Sequence, residues 1–366
     1  MISDSLRFRL RPSVSIVPTR DEMVWEFFQS NTRRLKHIRV ENLSLIEAIK
    51  SLDGEVSIAD LVAKYGLQDQ LLKFAEYLSS SCLIEDVDIA REANKSPYAR
   101  VLNFLADYLP SGELLDTFER VRNSHVLIIG VGAVGSWISQ LLAQTGVKKF
   151  TLCDPDIVKA HNLNRSLFTN ADIGEMKTQA VKAKLCDVDS DIVVSEFNIM
   201  VEHAGDLERV LSESSSVFDL VINASDFPNV DVTSEVVSAF CMSNRVPHII
   251  SGGYNLHLSL IGPTILPYET PCFRCIGRGL EEEQPDDFSR VRKLYRPKRN
   301  IGNLSPLAGI SASFACFEAI RVLLKSEKLR PLMTGRRGEF NFLTSKLNFS
   351  EYPRISDCPW CGNFTR

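Results

Sequence analysis

The pattern of apolar and polar positions is clearest in residues 125–154. An apolar run at 126–129 is short enough for a buried parallel strand. Apolar residues then recur at helical spacing until Gly146, a residue type that commonly ends helices. A second apolar run ends at Asp154, so this stretch predicts a strand, a turn, a helix and a second strand in succession.

The alternation of strands and helices continues through most of the remaining chain. It predicts strands at 192–197, 219–223 and His248–Ile250, and helices at 206–212, 232–243 and Ser305–Leu324. Alternation of this kind predicts an α/β domain whose mostly parallel, Rossmann-like sheet has helices on both faces. We place this domain at residues 125–366, after a connector at 93–124.

Residues 1–92 follow a different pattern, in which strand-like alternation comes before helical spacing. The predicted elements are strands at 7–18, 22–28 and 33–41, helices at 44–52, Ile58–Tyr65 and 68–78, and a wing strand at 82–87. This order is typical of a winged-helix-like α+β module.

The charge of this N-terminal module argues against DNA as its partner. Residues 1–95 hold 13 Lys and Arg against 15 Asp and Glu, a net charge of −2 (13 − 15), whereas DNA-binding domains carry a basic surface. The docking of a peptide on a strand edge is the interpretation we favour. A purely structural dimerisation module is the alternative.

The composition is that of a globular protein without a nucleic-acid or membrane partner. The 366 residues are 44% hydrophobic and 24% charged, with a net charge of −4. The sequence has neither a long unbroken apolar run nor an apolar signal segment at its N-terminus, so we expect a cytoplasmic location. Nine cysteines in such a chain predict thiols and metal ligands rather than a disulfide framework.

The turn after the first strand of the α/β domain carries the glycine pattern G-x-G-x-x-G, at Gly130, Gly132 and Gly135. Glycines at this spacing let backbone amides approach a phosphate, and Ala133 lies within the same turn. Asp154 follows 19 residues after Gly135, where an acid can bind a ribose hydroxyl. The unit predicts a nucleotide site, and a tight turn without a ligand is the alternative.

Two cations follow this unit and change the nucleotide that we expect. Arg165 and Lys177 lie close in sequence to Asp156 and Asn162. A dinucleotide presents only a pyrophosphate, so two cations beside the turn favour a triphosphate over the cofactor of a dehydrogenase. For each cation alone, a surface salt bridge is the alternative.

Two C-x-x-C pairs predict a zinc site. Cys272 with Cys275 and Cys358 with Cys361 can close a tetrahedral four-thiolate site, which has no open position and is therefore structural. A disulfide pair or free thiols is the alternative. The other five cysteines lie in apolar stretches and are predicted to be core residues.

A charged stretch at 277–304 precedes the long C-terminal helix. Five acids within 281–287 are followed by six bases within 290–299. We predict a flap over the site, whose bases meet a phosphate-bearing or acidic substrate. A solvated surface is the alternative.

These motifs resemble, in content and in order, those of the ThiF/MoeB family, which is related to ubiquitin-activating enzymes. GVGAVGS, D-x-D-x-V-x-x-x-N-L-N-R, G-E-M-K, N-A-S-D and the two C-x-x-C pairs carry the resemblance over residues 96–366. The family adenylates a substrate carboxylate with Mg-ATP, which gives an acyl-adenylate and pyrophosphate. By this resemblance, Asp154 would bind the ribose, and the phosphates would be bound by Asn162, Arg165 and Lys177. Asp226 would bind Mg²⁺, and the four cysteines would bind zinc. Further contacts with the nucleotide would come from Gly130, Gly132, Ala133, Gly135 and Asp156.

The resemblance also implies a homodimer in which one arginine acts across the interface. The tract SPYAR places Arg100 at that position, and with Arg165, Lys177 and Asp226 it completes the predicted catalytic set. Ser166 follows Arg165 where the family often has glutamine, so one polar contact of the family has no counterpart here.

The N-terminal module is similar to that of the peptide-modifying branch of the family, which includes the microcin C and pantocin A enzymes. We therefore predict ATP-dependent adenylation of a carboxylate in a ribosomally made precursor peptide, during peptide-antibiotic biosynthesis. Capture within the same peptide with loss of water, as for pantocin, is the favoured second step. The alternatives are a microcin-like peptide–nucleotide phosphoramidate and activation of a sulfur-carrier protein. The cations disfavour a nicotinamide-dependent dehydrogenase, and the retained site residues disfavour an inactive peptide-binding scaffold.

Overall fold

The computed structural model describes residues 6–214, 217–227, 229–251, 254–255, 257–283 and 302–362. The chain divides into two compact units, residues 1–119 and 120–366. Residues 93–119 of the predicted connector belong to the first unit, while the functional division at residues 92 and 124 stays a prediction. The central part of the predicted flap, 284–301, lies outside the described residues.

The first unit is built from two small antiparallel sheets and surrounding helices. Its elements are β1 (Arg7–Leu10), β2 (Val14–Pro18), β3 (Val24–Gln29), β4 (Arg34–Arg39), α1 (Leu43–Lys50), β5 (Asp53–Ser57), α2 (Ile58–Tyr65), α3 (Gln68–Ser80), β6 (Ile84–Asp86), α4 (Val87–Lys95), α5 (Ala99–Ala106) and α6 (Ser111–Asn123), the last four residues of which belong to the second unit. One sheet has the order β5-β1-β6 and the other the order β2-β3-β4. The sequential order α1-β5-α2-α3-β6 agrees with a winged-helix-like module.

Local signals in the sequence explain where these elements begin and end. Ser57 forms a capping box with Asp60 at the start of α2, and Gly66 ends that helix in the left-handed conformation at φ +67°. The predicted strand at 7–18 is two strands in different sheets, because the chain turns at Arg11, whose carbonyl accepts a hydrogen bond from the Val14 amide at 2.8 Å.

The second unit contains a six-stranded and a four-stranded sheet. Its elements are β7 (His125–Ile129), α7 (Gly135–Thr145), β8 (Lys149–Cys153), α8 (Lys177–Val188), β9 (Val193–Phe197), α9 (Ala204–Glu213), β10 (Leu220–Asn223), α10 (Val230–Ser243), β11 (His248–Ile250), β12 (Tyr254–Asn255), β13 (Leu258–Ile261), β14 (Thr264–Ile265), α11 (Phe273–Glu282), α12 (Ser305–Leu324), β15 (Arg336–Asn341) and β16 (Lys346–Glu351). The larger sheet has the order β9-β8-β7-β10-β11-β14, and the smaller one β12-β13-β15-β16.

The larger sheet confirms the predicted α/β fold. Its first five strands pair in parallel, and β14 adds an antiparallel edge. β7 and β10 are buried along their whole length, as expected for strands covered on both faces. The helices α9 and α10 pack with Leu127 and Val221 in one core cluster, while α12 packs against α7. The smaller sheet carries no clear alternation in the sequence, because β16 is largely exposed.

The helix α12 is long and apolar enough to cross a bilayer by composition alone. Its apolar window is 61% buried within the fold. Leu307, Ala312 and Ala319 are among the residues that it buries. This is the pattern of a core helix in a globular domain.

Candidate active site

The glycine turn joins the end of β7 to the start of α7. Gly130 has φ +80°, and a Cβ there would lie 2.8 Å from the amide nitrogen of Ser225. A Cβ at Gly135 would lie 1.9 Å from the Gly130 carbonyl oxygen, so this glycine is required for the helix to approach the strand. A Cβ at Gly132 would meet no atom within 4 Å. Open space above Gly132 is what the approach of a phosphate needs.

A cavity of about 440 Å³ opens at the carboxyl ends of the parallel strands. Ligands of open α/β sheets bind at this edge. The cavity is lined by nine of the predicted site residues, Gly130, Gly132, Ala133, Asp154, Asp156, Asn162, Arg165, Lys177 and Asp226. Segments far apart in sequence are therefore brought to one place by the topology of the sheet.

Asp154 is a buried carboxylate that follows β8 and supports the glycine turn. Its Oδ2 accepts a hydrogen bond from the Val131 amide at 2.9 Å, and its Oδ1 accepts one from the Asp156 amide at 3.0 Å. Burial raises the pKa of Asp154, while the nearby Lys177 acts in the opposite direction. A carboxylate has about four acceptor sites, so the two amide bonds leave capacity for ribose hydroxyls.

Lys177 begins α8 and directs its ammonium group into the cavity. The Nζ atom lies 2.7 Å from Asp156 Oδ2 and 3.4 Å from Asp154 Oδ1. The Lys177 amide donates to the Asp156 carbonyl at 3.0 Å, which fixes the start of the helix against this loop. The cation predicted to bind phosphates is therefore held by two carboxylates in this structure.

Asn162 and Arg165 lie on a short turn between β8 and α8. Asn162 Oδ1 accepts a hydrogen bond from the Lys159 amide at 2.9 Å. The Arg165 guanidinium donates to the His161 carbonyl and to Asn164 Oδ1, and the residue is half-buried. A guanidinium on a short turn at the cavity rim can reach an anionic ligand by rotating its side chain.

Asp226 lies beyond the end of β10, on the other side of the glycine turn from Asp154. It is exposed. Among the residues that the structure describes, the grouped metal ligands are the four cysteines, and Asp226 belongs to no such group. Mg²⁺ commonly uses one or two carboxylates together with phosphate oxygens and water. A magnesium role for Asp226 fits that pattern and stays a prediction.

The four predicted zinc ligands converge in a buried cluster. Their sulfur atoms lie within 4.8 Å of one another, with distances of 3.4 Å for Cys275–Cys361, 3.5 Å for Cys272–Cys358 and 3.8 Å for Cys272–Cys275. Sulfurs around a tetrahedral zinc ion, at Zn–S distances of about 2.3 Å, are about 3.8 Å apart. These separations are too long for disulfides. The cluster could hold zinc.

The sequence builds each half of this cluster from a tight local structure. Cys272 precedes α11, and Cys275 lies in its first turn. At the other half, the Gly362 amide donates to the Cys358 carbonyl at 2.8 Å. A Cβ at Gly362 would lie 2.4 Å from the Ser356 carbonyl oxygen, so the second knuckle requires glycine there.

Two predicted site residues are not among those that line the cavity, and other lining residues were not predicted. Gly135 lies beneath the turn, and Arg100 is an exposed residue of α5 in the first unit, so its proposed action across a dimer stays a prediction. His161, Phe227 and Ser251 line the cavity without having been predicted. Of these three residues, Ser251 has a usable signal in the sequence, because it directly follows a predicted strand and therefore belongs at the edge of the sheet.

Comparison with known proteins places the chain in a family. The model of the ThiF family matches residues 105–359. The molybdopterin-synthase adenylyltransferase of Escherichia coli (strain K12) is 28% identical over 250 residues, which are 68% of this chain and 90% of that protein.

Two solved structures are similar along nearly the whole chain. E. coli MccB, crystallised with AMPCPP and selenomethionine MccA, matches with a TM-score of 0.72 and 21% identity, over 97% of this chain and 99% of that one. PaaA matches with a TM-score of 0.66 and 17% identity, over 94% of this chain and 100% of that one. At these identities the likeness shows the fold. Because the family match spans well over half of its length, the chain belongs to the ThiF family and is an ATP-dependent adenylating enzyme.

Proposed function

We propose that this enzyme adenylates a carboxylate of a ribosomally made precursor peptide during peptide-antibiotic biosynthesis. The observation that carries the chemistry is the cavity, which combines the glycine turn, two cations and Asp226 at the carboxyl edge of the sheet. The support for a peptide comes from the first unit. The family match begins at residue 105, whereas the likeness to MccB extends over 97% of the chain.

In the proposed reaction one carboxylate oxygen attacks the α-phosphorus of ATP. The bond from that phosphorus to the bridging oxygen breaks, and pyrophosphate leaves with the bonding electrons. Asp154 binds the ribose, while Asn162, Arg165 and Lys177 bind the phosphates. An anionic nucleophile must approach a highly charged nucleotide, so the cations offset repulsion and stabilise the charge that develops on the leaving group.

Two metal ions complete the proposal. Asp226 would hold Mg²⁺ together with phosphate oxygens, and that ion supplies charge neutralisation and orientation of the triphosphate. Zinc would occupy the closed four-cysteine cluster, where it joins the segment around Cys358 to α11. Since four thiolates fill a tetrahedral shell, this second metal has a structural role.

The first unit is proposed as the site where the peptide docks. Its two small antiparallel sheets offer strand edges of the kind to which extended peptides add. We further propose a homodimer in which Arg100 acts across the interface, and a cytoplasmic location. The predicted division of labour is therefore recognition by residues 1–92 and chemistry by residues 125–366.

For the second step we favour capture of the activated acyl group within the same peptide, with cyclisation and loss of water. The likeness to both MccB and PaaA leaves a nucleotide-linked phosphoramidate as the alternative product. The identity to an E. coli molybdopterin-synthase adenylyltransferase keeps activation of a sulfur-carrier protein as a further alternative.

The test is to incubate the enzyme with ATP, Mg²⁺ and a synthetic copy of a precursor peptide encoded beside its gene. Release of pyrophosphate only in the presence of the peptide supports the proposal. Mass spectrometry then separates the products, since loss of water indicates cyclisation and a gain in mass indicates nucleotide transfer. Pyrophosphate release with a sulfur-carrier protein but not with the peptide would instead favour activation of a sulfur-carrier protein. Removal of residues 1–92 should weaken peptide binding far more than ATP binding.

A further inference from the structure

A buried hydroxyl group without a partner lies in the wall of the cavity. Ser251 is 5% exposed and directly follows β11. Within the described part of the chain, its Oγ atom makes no hydrogen bond. A buried hydroxyl without a partner costs about 1–3 kcal/mol, so the atom is placed where a bound group would satisfy it.

Other buried serines of the same unit do have partners. Ser139 Oγ donates to the Gly135 carbonyl at 2.8 Å, and Ser259 Oγ donates to the Leu307 carbonyl at 2.6 Å. Ser238 Oγ lies 3.0 Å from a ring nitrogen of His248. Serines in the interior of this unit therefore satisfy their hydroxyls internally, and Ser251 differs because it faces the cavity.

The backbone fixes the position of Ser251. Its amide donates to the Asn223 carbonyl at 2.8 Å, which continues the parallel register of Asn223 with Ile250. The hydroxyl is thus carried by the end of a central strand pair, beside the Ala224–Asp226 segment that also lines the cavity. Groups on such a rigid element hold their geometry better than groups on a loop.

The order of the strands assigns each side of the cavity to one part of the reaction. Asp154 follows β8, the glycine turn follows β7, Asp226 follows β10 and Ser251 follows β11. Neighbouring strands are about 4.8 Å apart, so Ser251 lies about three strand spacings from the ribose acid. With ribose and phosphates over β8 and β7, the group that reacts with the α-phosphate must enter from the side of β10 and β11.

The charges of the lining residues agree with this division. Arg165 and Lys177 belong to the segment between β8 and β9, on the ribose side. On the opposite side, Ser251 is neutral, and the carboxylate of Asp226 is the group that would hold Mg²⁺, whose charge would offset the repulsion between Asp226 and an incoming carboxylate. A neutral hydroxyl can orient an incoming carboxylate without withdrawing its charge as strongly as an ammonium group would, so the carboxylate stays nucleophilic.

We propose that Ser251 is a positioning residue for the carboxylate that is activated, an inference that rests on the proposed function. Its Oγ–H donates a hydrogen bond to the oxygen that does not attack. The other oxygen forms the bond to the α-phosphorus as the bond to pyrophosphate breaks. The oxygen bonded to Ser251 becomes the carbonyl oxygen of the acyl-adenylate, and the hydroxyl keeps its proton throughout.

The test uses two stable adenosine analogues that differ by one acetyl group, which carries the acyl carbonyl, 5′-O-sulfamoyladenosine and its N-acetyl derivative. Calorimetry on the full-length protein should show that the wild type prefers the acetyl probe. Ser251→Ala should reduce this preference about 3- to 10-fold, the worth of one neutral hydrogen bond. Ser251→Thr, which keeps a hydroxyl, should restore it. Ser212→Ala makes the same change on the exposed surface of α9 and should leave the preference unaltered.

The affinity for AMPCPP separates the outcomes, since it should be the same in all four proteins. An unchanged acetyl preference in Ser251→Ala, or an equal loss of both probes and AMPCPP, would overturn the role of Ser251. A wild-type protein that binds AMPCPP but shows no acetyl preference would overturn it as well. A wild-type protein that binds neither AMPCPP nor the probes would instead contradict the proposed function itself.

Discussion

The ammonium group of Lys177 lies 3.4 Å from the carboxylate of Asp154, and both side chains are about nine-tenths buried or more. Asp154 in turn holds the glycine turn through the Val131 amide. Lys177, which we propose binds the phosphates, is therefore also the ion-pair partner of Asp154, the residue that we propose binds the ribose. In the proposed nucleotide site, this ion pair would couple the ribose-binding residue to a phosphate-binding residue.

Replacing Lys177 by alanine should reduce peptide-dependent pyrophosphate release about 10²- to 10³-fold, as expected for the loss of one preorganised charge-stabilising group. The variant also leaves Asp154 buried without its ion-pair partner, so we expect a lower free energy of unfolding. Lys182→Ala is the matched control, because this lysine of the same helix forms a half-exposed ion pair with Glu196. The control variant should lose less than about 1 kcal/mol of its free energy of unfolding and should keep the wild-type rate of pyrophosphate release.

Asp226→Ala should also lower pyrophosphate release about 10²- to 10³-fold while leaving the melting temperature unchanged. The reason is that Asp226 is exposed and would act only through Mg²⁺ and the phosphates. In a titration with Mg²⁺ at fixed ATP, the rate of pyrophosphate release should depend less on the Mg²⁺ concentration in the variant than in the wild type. Asp231→Ala, an exposed carboxylate in the first turn of α10, serves as the control. Wild-type rates in Asp226→Ala would remove this residue from the site.

The four-cysteine cluster should contain one zinc ion per chain by elemental analysis. Cys358→Ser should lower both the zinc content and the melting temperature, because a four-thiolate site that loses a ligand no longer joins its two segments. Cys186→Ser makes the same substitution at a free cysteine that is exposed, although the sequence predicted a core residue there, and it should change neither quantity. Retention of full zinc content in Cys358→Ser would contradict the ligand assignment.

Stability should fall as the pH falls from 6.5 to about 4, because of His248. Burial lowers the pKa of His248 from its ordinary value of 6.5 to about 4. Its stabilising contribution is present above pH 6.5 and is lost through that window, since the unfolded chain takes up a proton that the folded protein excludes. This shift in the pKa of His248 corresponds to about 3 kcal/mol of unfolding free energy.

Urea unfolding at several pH values checks this prediction against His248→Gln. The substituted side chain does not titrate, so the variant should show a flatter pH dependence between pH 4 and 6.5. Parallel curves for the two proteins would show that His248 contributes no titration of this kind.

A fragment of residues 1–123 should fold, whereas a fragment of residues 1–92 should not. Asp107 accepts hydrogen bonds from Gln29 at 3.1 Å and from Asn31 at 2.9 Å, and the Asp86 amide donates to Ser111 at 3.1 Å. Ending the chain at residue 92 removes these hydrogen bonds, at about 0.5–1.5 kcal/mol for each, together with the buried apolar face of α5. Circular dichroism and cooperative thermal unfolding distinguish the two fragments, and equal cooperativity would show that α5 and α6 are dispensable.

Much of the second unit could be predicted from the sequence. Strands such as His248–Ile250 are uniformly buried because both of their faces are covered, and α7 ends at the glycine that the pattern indicated. The first unit was harder to predict. The run at 7–18 alternates throughout, and only pairing with different partners separates it into β1 and β2. β5, with two exposed residues among five, gives no pattern that local reasoning can detect.

The sequence by itself determined the glycine turn, the ordered motifs and the two cysteine pairs, because each depends on residues close together in the chain. The convergence of Asp154, Lys177 and Asp226 on one cavity was decided by the tertiary structure, since strand order sets which loops meet at the edge of a sheet. The same holds for Ser251. Its residue type carries no chemical signal in sequence, and it becomes informative only because the fold buries its hydroxyl in that cavity without a partner.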